Sequence, residues 1–434
     1  MNETARTDAA SGRWHVLTLS TLAFTLLFGV WMMLGVLSIP MKGSLGLTDS
    51  QVEWLMAAAI LAGALPRLNF GIWADRFGGR KVYLFLLLFC AVPTYLFSRA
   101  TTYPELVACA LLFGIAGNAF TVGISWNAAW FSKEQKGLAL GTVGAGNVGA
   151  SCTKLLVILV PTVLTIVPAA GWLGGWIPGG WRFVPALYSA LLVLMAVAVF
   201  FLTPSRDRKP GAGRPMAELL GPLSEMRVWR FSLYYVVVFG AYVALSGWLP
   251  KFYVDTYHLT LRDAALLTAL FIFPASLLRP FGGWLSDVYG PRIVTYAVFV
   301  VMAAALLLLC VPNGRYLGYD YQPGPALFTT LLVIVGCGMG IGKASVYKYV
   351  PDYYPGDVGA VGGLVGALGA LGGFVLPPLF GKIGRDTGMP RLAFLALLAL
   401  TLVSLAWLHA TVLAIKAKER RSGVDEFVPE GSPS

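Results

Sequence analysis

The chain has 434 residues and a formal net charge of +11, and its composition excludes an ordinary soluble protein. Apolar residues make up 57% and charged residues only 12%, whereas soluble domains carry about 25% charged residues. The mean hydropathy is +0.73. Because apolar runs long enough to cross a bilayer recur along the whole sequence, we interpret the positive charge as membrane topology and expect no binding of nucleic acid.

The apolar runs predict an all-α polytopic membrane protein with twelve transmembrane helices, arranged as two pseudo-symmetric six-helix bundles. The expected spans are 15–39, 51–74, 82–98, 104–131, 137–160, 181–203, 231–254, 261–286, 292–311, 326–350, 357–381 and 391–415. The predicted units are a cytoplasmic N-tail (1–14), an N-terminal bundle (15–203), a cytoplasmic linker (204–230), a C-terminal bundle (231–416) and a cytoplasmic C-tail (417–434).

The loop charges predict the orientation in the membrane. Lys and Arg residues are about twice as frequent in the loops on the side of both termini as in the loops on the other side. Cytoplasmic loops carry this excess in membrane proteins. We therefore expect a multi-pass protein of the inner, cytoplasmic membrane with both termini in the cytoplasm. No cleavable signal peptide is evident, because residues 1–13 are polar and the first apolar run is long enough to span.

Cysteine and histidine give no sign of redox or metal chemistry. The five cysteines lie inside apolar runs without a C-x-x-C spacing, and the three histidines are scattered. Disulfides and metal sites are therefore not expected. The sequence also contains no Ser/His/Asp set and no cofactor motif, so we expect neither a cofactor nor an enzyme.

Two similar stretches occupy corresponding places in the two predicted bundles. Each has an arginine in an apolar run and an aspartate eight residues later, Arg67 with Asp75 and Arg279 with Asp287. A buried cation costs at least about 2.5 kcal/mol on insertion scales. A single arginine near a helix end could snorkel to the interface, but two at matching positions favour a shared function. Arginine suits planar, bidentate recognition of an oxyanion.

Five cations fall inside predicted spans without an obvious carboxylate partner, which predicts an anionic ligand. They are Arg67, Lys154, Arg279, Lys343 and Lys348. A lysine can lose its proton when it is desolvated, which an arginine does not. Lys154, Lys343 and Lys348 are therefore candidates for proton coupling, although Lys348 could simply snorkel.

Glycine-rich stretches predict a gate or hinge at helix contacts, because glycine lets membrane helices approach closely. Static packing is the alternative. The gate candidates are Gly71, Asp75, Arg76, Gly144, Gly146, Gly149, Gly283, Asp287, Gly366, Gly369 and Gly372. Asn147 lies among the glycines of the fifth span. It could form an interhelical hydrogen bond or contact a ligand.

These motifs resemble those of a known family. The loop Gly71-x-x-x-Asp75-Arg76-x-Gly78-x-Arg80-Lys81 resembles that of the major facilitator superfamily. The segments Gly144-Ala-Gly-Asn-Val-Gly149 and Gly366-Ala-Leu-Gly-Ala-Leu-Gly-Gly-Phe374 are similar to the signatures of its nitrate/nitrite porter family. The resemblance covers nearly the whole chain. It implies that Arg67 and Arg279 clamp nitrate or nitrite, with Asn147 in contact.

The resemblance also implies aromatic residues around the anion. Tyr235 and Phe239 match the pattern of the seventh span, while Phe120 and Tyr347 fall where the family stacks rings on the anion. Tyr347 departs from the phenylalanine expected at its position. The sequences around Lys154 and Lys348 look more like those of the proton-coupled nitrate importers.

The predicted function is therefore secondary active import of nitrate, with nitrite as a second substrate, by alternating access and with proton symport. The alternatives are nitrate/nitrite antiport and, from other classes, a porter for another small anion such as a carboxylate, a nitrate sensor or a membrane enzyme. The expected partners are the anion, protons and the lipid bilayer, and a monomer is the expected functional unit.

Overall fold

The protein is a bundle of membrane-spanning helices. The structure, a computed structural model, describes residues 3–158, 167–168, 170–316 and 318–422. Within these ranges, eleven helices are long and apolar enough to cross a membrane. The predicted all-α polytopic class is thereby confirmed. The predicted fifth span, 137–160, starts on two described helices and ends outside the described residues.

The helices before residue 204 form the N-terminal set. They are α1 (Glu3–Met32), α2 (Leu34–Leu45), α3 (Asp49–Ala64), α4 (Arg67–Phe77), α5 (Gly79–Arg99), α6 (Tyr103–Gly114), α7 (Ala119–Trp130), α8 (Lys136–Ala145), α9 (Gly149–Ile158) and α10 (Phe183–Leu202). Single 3-10 turns, Ile115–Asn118 and Gly146–Val148, separate α6 from α7 and α8 from α9.

A short linker helix, α11 (Met216–Leu220), precedes the C-terminal set. That set comprises α12 (Met226–Tyr235), a π-helical turn (Val236–Gly240), α13 (Ala241–Tyr257), α14 (Leu261–Leu277), α15 (Arg279–Tyr289), α16 (Pro291–Cys310), α17 (Pro325–Tyr353), α18 (Val358–Thr387) and α19 (Ala393–Ser422). Between α16 and α17, strands β1 (Gly314–Tyr316) and β2 (Tyr319–Tyr321) form an antiparallel hairpin that the sequence did not predict.

Two of the predicted spans are each interrupted at an arginine. Helix α3 ends at Ala64 and α4 begins at Arg67, directly after Pro66. Helix α14 ends at Leu277 and α15 begins at Arg279, directly before Pro280. Proline has no backbone N–H and disrupts the helical hydrogen bonding around it. Each arginine therefore occupies the first position of a helix near the middle of the span.

Glycine pairs bring the two sets into backbone contact along two seams. In the α4–α18 seam, a Cβ atom on Gly71 would lie 2.0 Å from the carbonyl oxygen of Gly359. In the α8–α15 seam, a Cβ atom on Gly283 would lie 2.0 Å from the carbonyl oxygen of Gly137. No side chain fits at such distances, so each crossing depends on glycine.

An aspartate closes each seam at the same end of the molecule. Asp75 of α4 accepts hydrogen bonds from the backbone N–H of Gly359 (2.8 Å) and from the Ser125 hydroxyl. Asp287 of α15 accepts from the N–H groups of Gly137 and Leu138, both at 2.8 Å. Each carboxylate thus satisfies free N–H groups at the start of a helix from the other set. We call this the linker end and the opposite one the far end.

The linker crosses the α4–α18 seam. The N–H of Gly211 donates to the carbonyl oxygen of Asp75 (3.1 Å), and Arg214 forms an ion pair with Asp357 (2.8 Å) just before α18. Leu219 is fully buried against Ile72 of α4 and Ala360 of α18. The linker therefore reinforces this seam in the observed conformation.

Candidate anion-binding site

The two predicted arginines are both buried, and Arg67 is held by backbone carbonyl groups. Its exposed fraction is 1%. Its Nε donates to Gly63 (3.3 Å), its Nη1 to Gly366 (2.9 Å) and its Nη2 to Gly117 (2.7 Å). Gly366 belongs to the C-terminal set, so this side chain spans the interface between the sets. The three carbonyl groups fix the direction of the guanidinium.

Arg279 is fully buried and has no such anchors. Within the described part of the chain, none of its three side-chain nitrogens forms a hydrogen bond of normal geometry. The guanidinium carbon lies 4.8 Å from the ring centre of Phe120. A Cβ atom on Gly144 would lie 2.2 Å from Nε of Arg279. The glycine of the N-terminal set thus makes room for a cation of the C-terminal set.

Other polar groups in this region also lack partners. Asn147, in the 3-10 turn between α8 and α9, is fully buried, and neither atom of its amide has a hydrogen-bond partner among the described residues. The hydroxyl of Tyr235 lies next to Arg279, yet forms no hydrogen bond of normal geometry there. Since buried polar groups are normally paired, Arg279, Asn147 and Tyr235 together indicate a place for a ligand or water.

The four predicted aromatic residues form one cluster between the arginines. The Phe120 and Tyr235 rings are parallel to within 6°, with centres 6.3 Å apart. Tyr235 also stacks at 5.0 Å on Phe239, which lies four residues further along the chain, inside the π-helical turn. Tyr347 meets Phe120 edge-on at 4.8 Å and donates its hydroxyl to the carbonyl of Gly362 (2.8 Å). The cluster joins α7, α12 and α17.

The predicted gate glycines divide into two groups. Gly144 and Gly366 contact an arginine of the other set, and Gly71 and Gly283 form the seams; a Cβ atom on Gly366 would lie 2.8 Å from Cδ of Arg67. The remaining glycines pack inside their own set, since they face Phe24 (Gly146), Thr25 (Gly149), Tyr235 (Gly369) and Val236 (Gly372). Arg76 is half-buried in the last turn of α4.

The candidate lysines differ in their surroundings. Lys343 is fully buried, donates to the carbonyl of Ala275 (3.0 Å) and lies 3.1 Å from the ring centre of Tyr242. No carboxylate of the described chain pairs with it. Lys348 contradicts the expectation that the span cations lack acidic partners, because it pairs with Asp287 (2.8 Å) and Asp352 (3.4 Å). The side chain of Lys154 lies outside the part of the chain that is described.

Several contacts were not predicted from sequence. The carbonyl groups of Gly117 and Gly366 orient Arg67, and no sequence pattern identifies a backbone acceptor. The contact between Lys343 and the ring of Tyr242 was also not predicted. Pro66 and Pro280 were a usable signal for the helix breaks, because each adjoins an arginine.

The fold and the buried cations are those of a membrane transporter, and comparison with known proteins agrees. A profile of the Major Facilitator Superfamily matches residues 19–267 and 252–429, so the chain belongs to that superfamily. The solved structure of the proton:xylose symporter XylE superimposes with a TM-score of 0.69. It covers 92% of this chain and 96% of that chain at 15% identity, which shows a common fold only.

Curated relatives narrow the family. The chain is 55% identical over 428 residues to the "Probable nitrate/nitrite antiporter NarK1" of Thermus thermophilus, with 96% of each chain covered. It is 28% identical over 393 residues to the "Nitrite extrusion protein" of Bacillus subtilis, covering 90% of this chain and 93% of that one. These relatives confirm the family that the glycine signatures predicted.

Proposed function

We propose that this protein is a secondary transporter that imports nitrate, with nitrite as a second substrate, across the cytoplasmic membrane. The observation that carries the proposal is the fully buried Arg279, whose three nitrogens have no normal hydrogen bond within the described chain. An unpaired buried guanidinium is costly unless an anion or water satisfies it. The names of the relatives supply the identity of the anion.

In the proposed complex, the anion lies between the two arginines. Arg279 donates two parallel hydrogen bonds to it, the pattern that suits a planar oxyanion. Arg67 adds a second positive charge in a fixed direction. Asn147 and Tyr235 complete the donors, and the ring of Phe120 lies against the ligand plane. Phe239 and Tyr347 support this arrangement through ring contacts. One chain supplies both arginines, which supports a functional monomer.

Transport then requires the two sets to rock around the site. The observed conformation is closed at the linker end, where Asp75 and Asp287 bridge the sets. Opening there releases both bridges, while the site is closed from the far end. The loop charges support placing the linker end and both termini in the cytoplasm. The predicted division into two six-helix bundles, with the linker at 204–230, is part of this proposal.

Two coupling modes are compatible with this site. Nitrate entry against an inside-negative potential costs about 2.3 kcal/mol per 100 mV, so import needs either protons or an exchanged anion. Lys343 favours symport, because a fully buried lysine without a carboxylate partner in the described chain is a candidate proton site beside the anion. The name of the Thermus relative favours nitrate/nitrite antiport. Lys348 is less suited to carry a proton, since it is paired with Asp287, and Lys154 stays a prediction.

Nitrate flux into proteoliposomes tests the function and its coupling. Uptake driven by an inward proton gradient alone indicates symport, and uptake that requires nitrite trapped inside indicates antiport. We expect Arg279→Gln to abolish uptake while Arg262→Gln, at an exposed position of α14, retains it. Near-normal uptake by the Arg279 variant contradicts the proposed site. Strong competition by formate or oxalate would instead support the porter for another small anion.

A further inference from the structure

A loop at the far end of the molecule folds over the ends of two helices. This tryptophan loop (170–182) leads into α10 and lies against the end of α5. Trp172 and Ile177 form a bridge, and the turn between them uses positive φ at Leu173 (52°), Gly174 (65°) and Gly175 (88°). The turn carries large apolar side chains, since Leu173 is 75% exposed and Trp176 is 72% exposed.

An apolar cavity lies between the tryptophan loop and the two helices. Its volume is about 450 Å³, and its walls include Tyr95 of α5, Trp176 of the loop, and Phe183, Leu187 and Val193 of α10. Val193 is 43% exposed, so the cavity opens on the outer surface of the helix bundle. In a membrane-spanning protein this surface is in contact with lipid. A cavity with these walls suits a hydrocarbon chain.

Two arginines lie beside residues that line this cavity. Arg99 donates from Nη1 to the carbonyl of Gly175 (2.5 Å), next to Trp176. Arg182, directly before Phe183, donates from Nη1 to the carbonyls of Ser98 (2.9 Å) and Ala100 (2.6 Å).

Both guanidinium groups belong to the same end of α5, because Arg99 is its last residue and Arg182 donates to the carbonyls of Ser98 and Ala100 on either side of it. Neither forms an ion pair with a carboxylate of the described chain. The end of α5 therefore carries positive charge without an acidic partner, next to an apolar cavity.

We propose that this cavity binds one anionic phospholipid. Its phosphate lies between Arg99 and Arg182, and one acyl chain enters the cavity beneath Trp176. The charge complementarity selects an anionic headgroup over a zwitterionic one. A free inorganic anion satisfies the arginines but leaves the cavity unfilled, and a lipid satisfies both. The proposal is independent of the transported substrate, because the cavity lies outside the interface between the two helix sets.

The alternative is a general interfacial anchor. Tryptophans gather at membrane interfaces, and arginines there extend toward the headgroups without binding a particular lipid. The two cases differ in selectivity and in stoichiometry. A specific lipid-binding site retains one lipid and distinguishes between headgroups, whereas a general interfacial anchor does neither.

Native mass spectrometry of the full-length protein in detergent separates these cases. The probes are phosphatidylglycerol and phosphatidylcholine with identical acyl chains. We expect one phosphatidylglycerol to be retained, with about tenfold preference over phosphatidylcholine. The double variant Arg99→Gln/Arg182→Gln should lose this preference. The matched control Arg262→Gln/Arg315→Gln removes the same charge from exposed positions and should keep it.

The double arginine variant also removes a hydrogen bond to the tryptophan loop, so a second variant tests the cavity with that bond intact. Ala190→Trp fills the cavity wall and leaves both arginines in place. We expect it to reduce retention of phosphatidylglycerol about tenfold, with an unchanged melting temperature of the protein. Unselective retention in the original protein, or full retention in Ala190→Trp, overturns the proposal. Displacement of the bound lipid by millimolar inorganic phosphate would also overturn it, because the cavity would then contribute nothing.

Discussion

The two central arginines have different surroundings, although their sequence contexts are similar. Arg67 is anchored by three carbonyl groups from both helix sets, whereas no side-chain nitrogen of Arg279 forms a normal hydrogen bond in the described chain. Arg67 therefore has less freedom to follow a ligand. Arg279 has all its donors available. The two residues should differ in how their substitution affects stability and binding.

Substituting each arginine by lysine tests this difference. Lysine keeps the charge but loses the planar donor pair. A hydrogen bond to a charged group contributes about 1.5–3 kcal/mol, so we expect Arg279→Lys to weaken nitrate binding about 10- to 100-fold without lowering the melting temperature. Arg67→Lys should lower both the affinity for nitrate and the melting temperature, because the carbonyls of Gly117 and Gly366 lose their donors. Nitrate titration with thermal unfolding measures both quantities. Equal behaviour of the two variants contradicts the assignment.

Gly144 offers a test that leaves every charge in place. A methyl group there would lie 2.2 Å from Nε of Arg279 and must displace the guanidinium. We expect Gly144→Ala to reduce nitrate uptake at least about tenfold, since moving the guanidinium away from this methyl group misaligns its two parallel donors. Gly247→Ala in α13 is the matched control, because nothing lies within 4 Å of its added methyl group. Uptake that falls equally in both variants would point to a general effect of alanine.

At this scale, the sequence predicted residue types better than residue partners. A repeated arginine in an apolar run stands out in the sequence, because placing a cation in the membrane costs free energy that a function must justify. The pairing of Lys348 with Asp287 was missed because it joins the last turns of α17 to the last turn of α15, two helices that are far apart in the sequence. Carbonyl acceptors leave no sequence trace at all, so the anchoring of Arg67 could not be foreseen.

Several helices depart from α-geometry around the site. The breaks before α4 and α15, the 3-10 turns Ile115–Asn118 and Gly146–Val148, and the π-helical turn Val236–Gly240 all adjoin a proposed ligand residue. Such departures leave backbone groups without their usual partners. One consequence is visible at Gly117, whose carbonyl accepts from Arg67 (2.7 Å). Hydrophobic periodicity placed the spans but carries no information on a single irregular turn.

The aspartate bridges make a prediction about the seams. Asp287→Asn removes the charge that faces Lys348 and the N–H groups of Gly137 and Leu138, which weakens the α8–α15 seam. We expect the population that is open at the linker end to rise. Spin labels at the exposed residues Gln135 and Tyr289 should then show a longer distance. Asp320→Asn in strand β2 is the control. A distance distribution identical to that of the control would contradict the role of Asp287.

The whole molecule has one end that carries the linker and another that carries the β-hairpin. The orientation rests on loop charges, so it is a prediction that labelling can test. In a variant without the native cysteines, we expect Arg315→Cys to react with an impermeant maleimide in right-side-out vesicles. Lys209→Cys should react only after the membrane is opened. The reverse pattern would show that the linker end, with both seams, faces the outside of the cell.

The overall fold followed from composition because long apolar runs in a membrane have few structural solutions. The glycine signatures then identified the family. The contacts between the two sets could not be derived, since Gly71 meets Gly359 and Gly137 meets Gly283 only after the whole chain has folded. The linker contact through Leu219 is a similar case, because an isolated leucine in a polar stretch has no distinguishing pattern.

Each arginine packs against a glycine helix of the opposite set, Arg67 on α18 and Arg279 on α8. When the sets separate, each set keeps one of the two arginines. That arginine then loses its contact with the glycine helix of the other set. The measured dissociation constant is then the intrinsic constant divided by the fraction of molecules with the sets closed. A substitution at Gly137 or Gly359, which contact neither arginine, should therefore raise the apparent KM for nitrate. The apparent affinity for nitrate therefore depends in part on the fraction of molecules in which the two helix sets are closed.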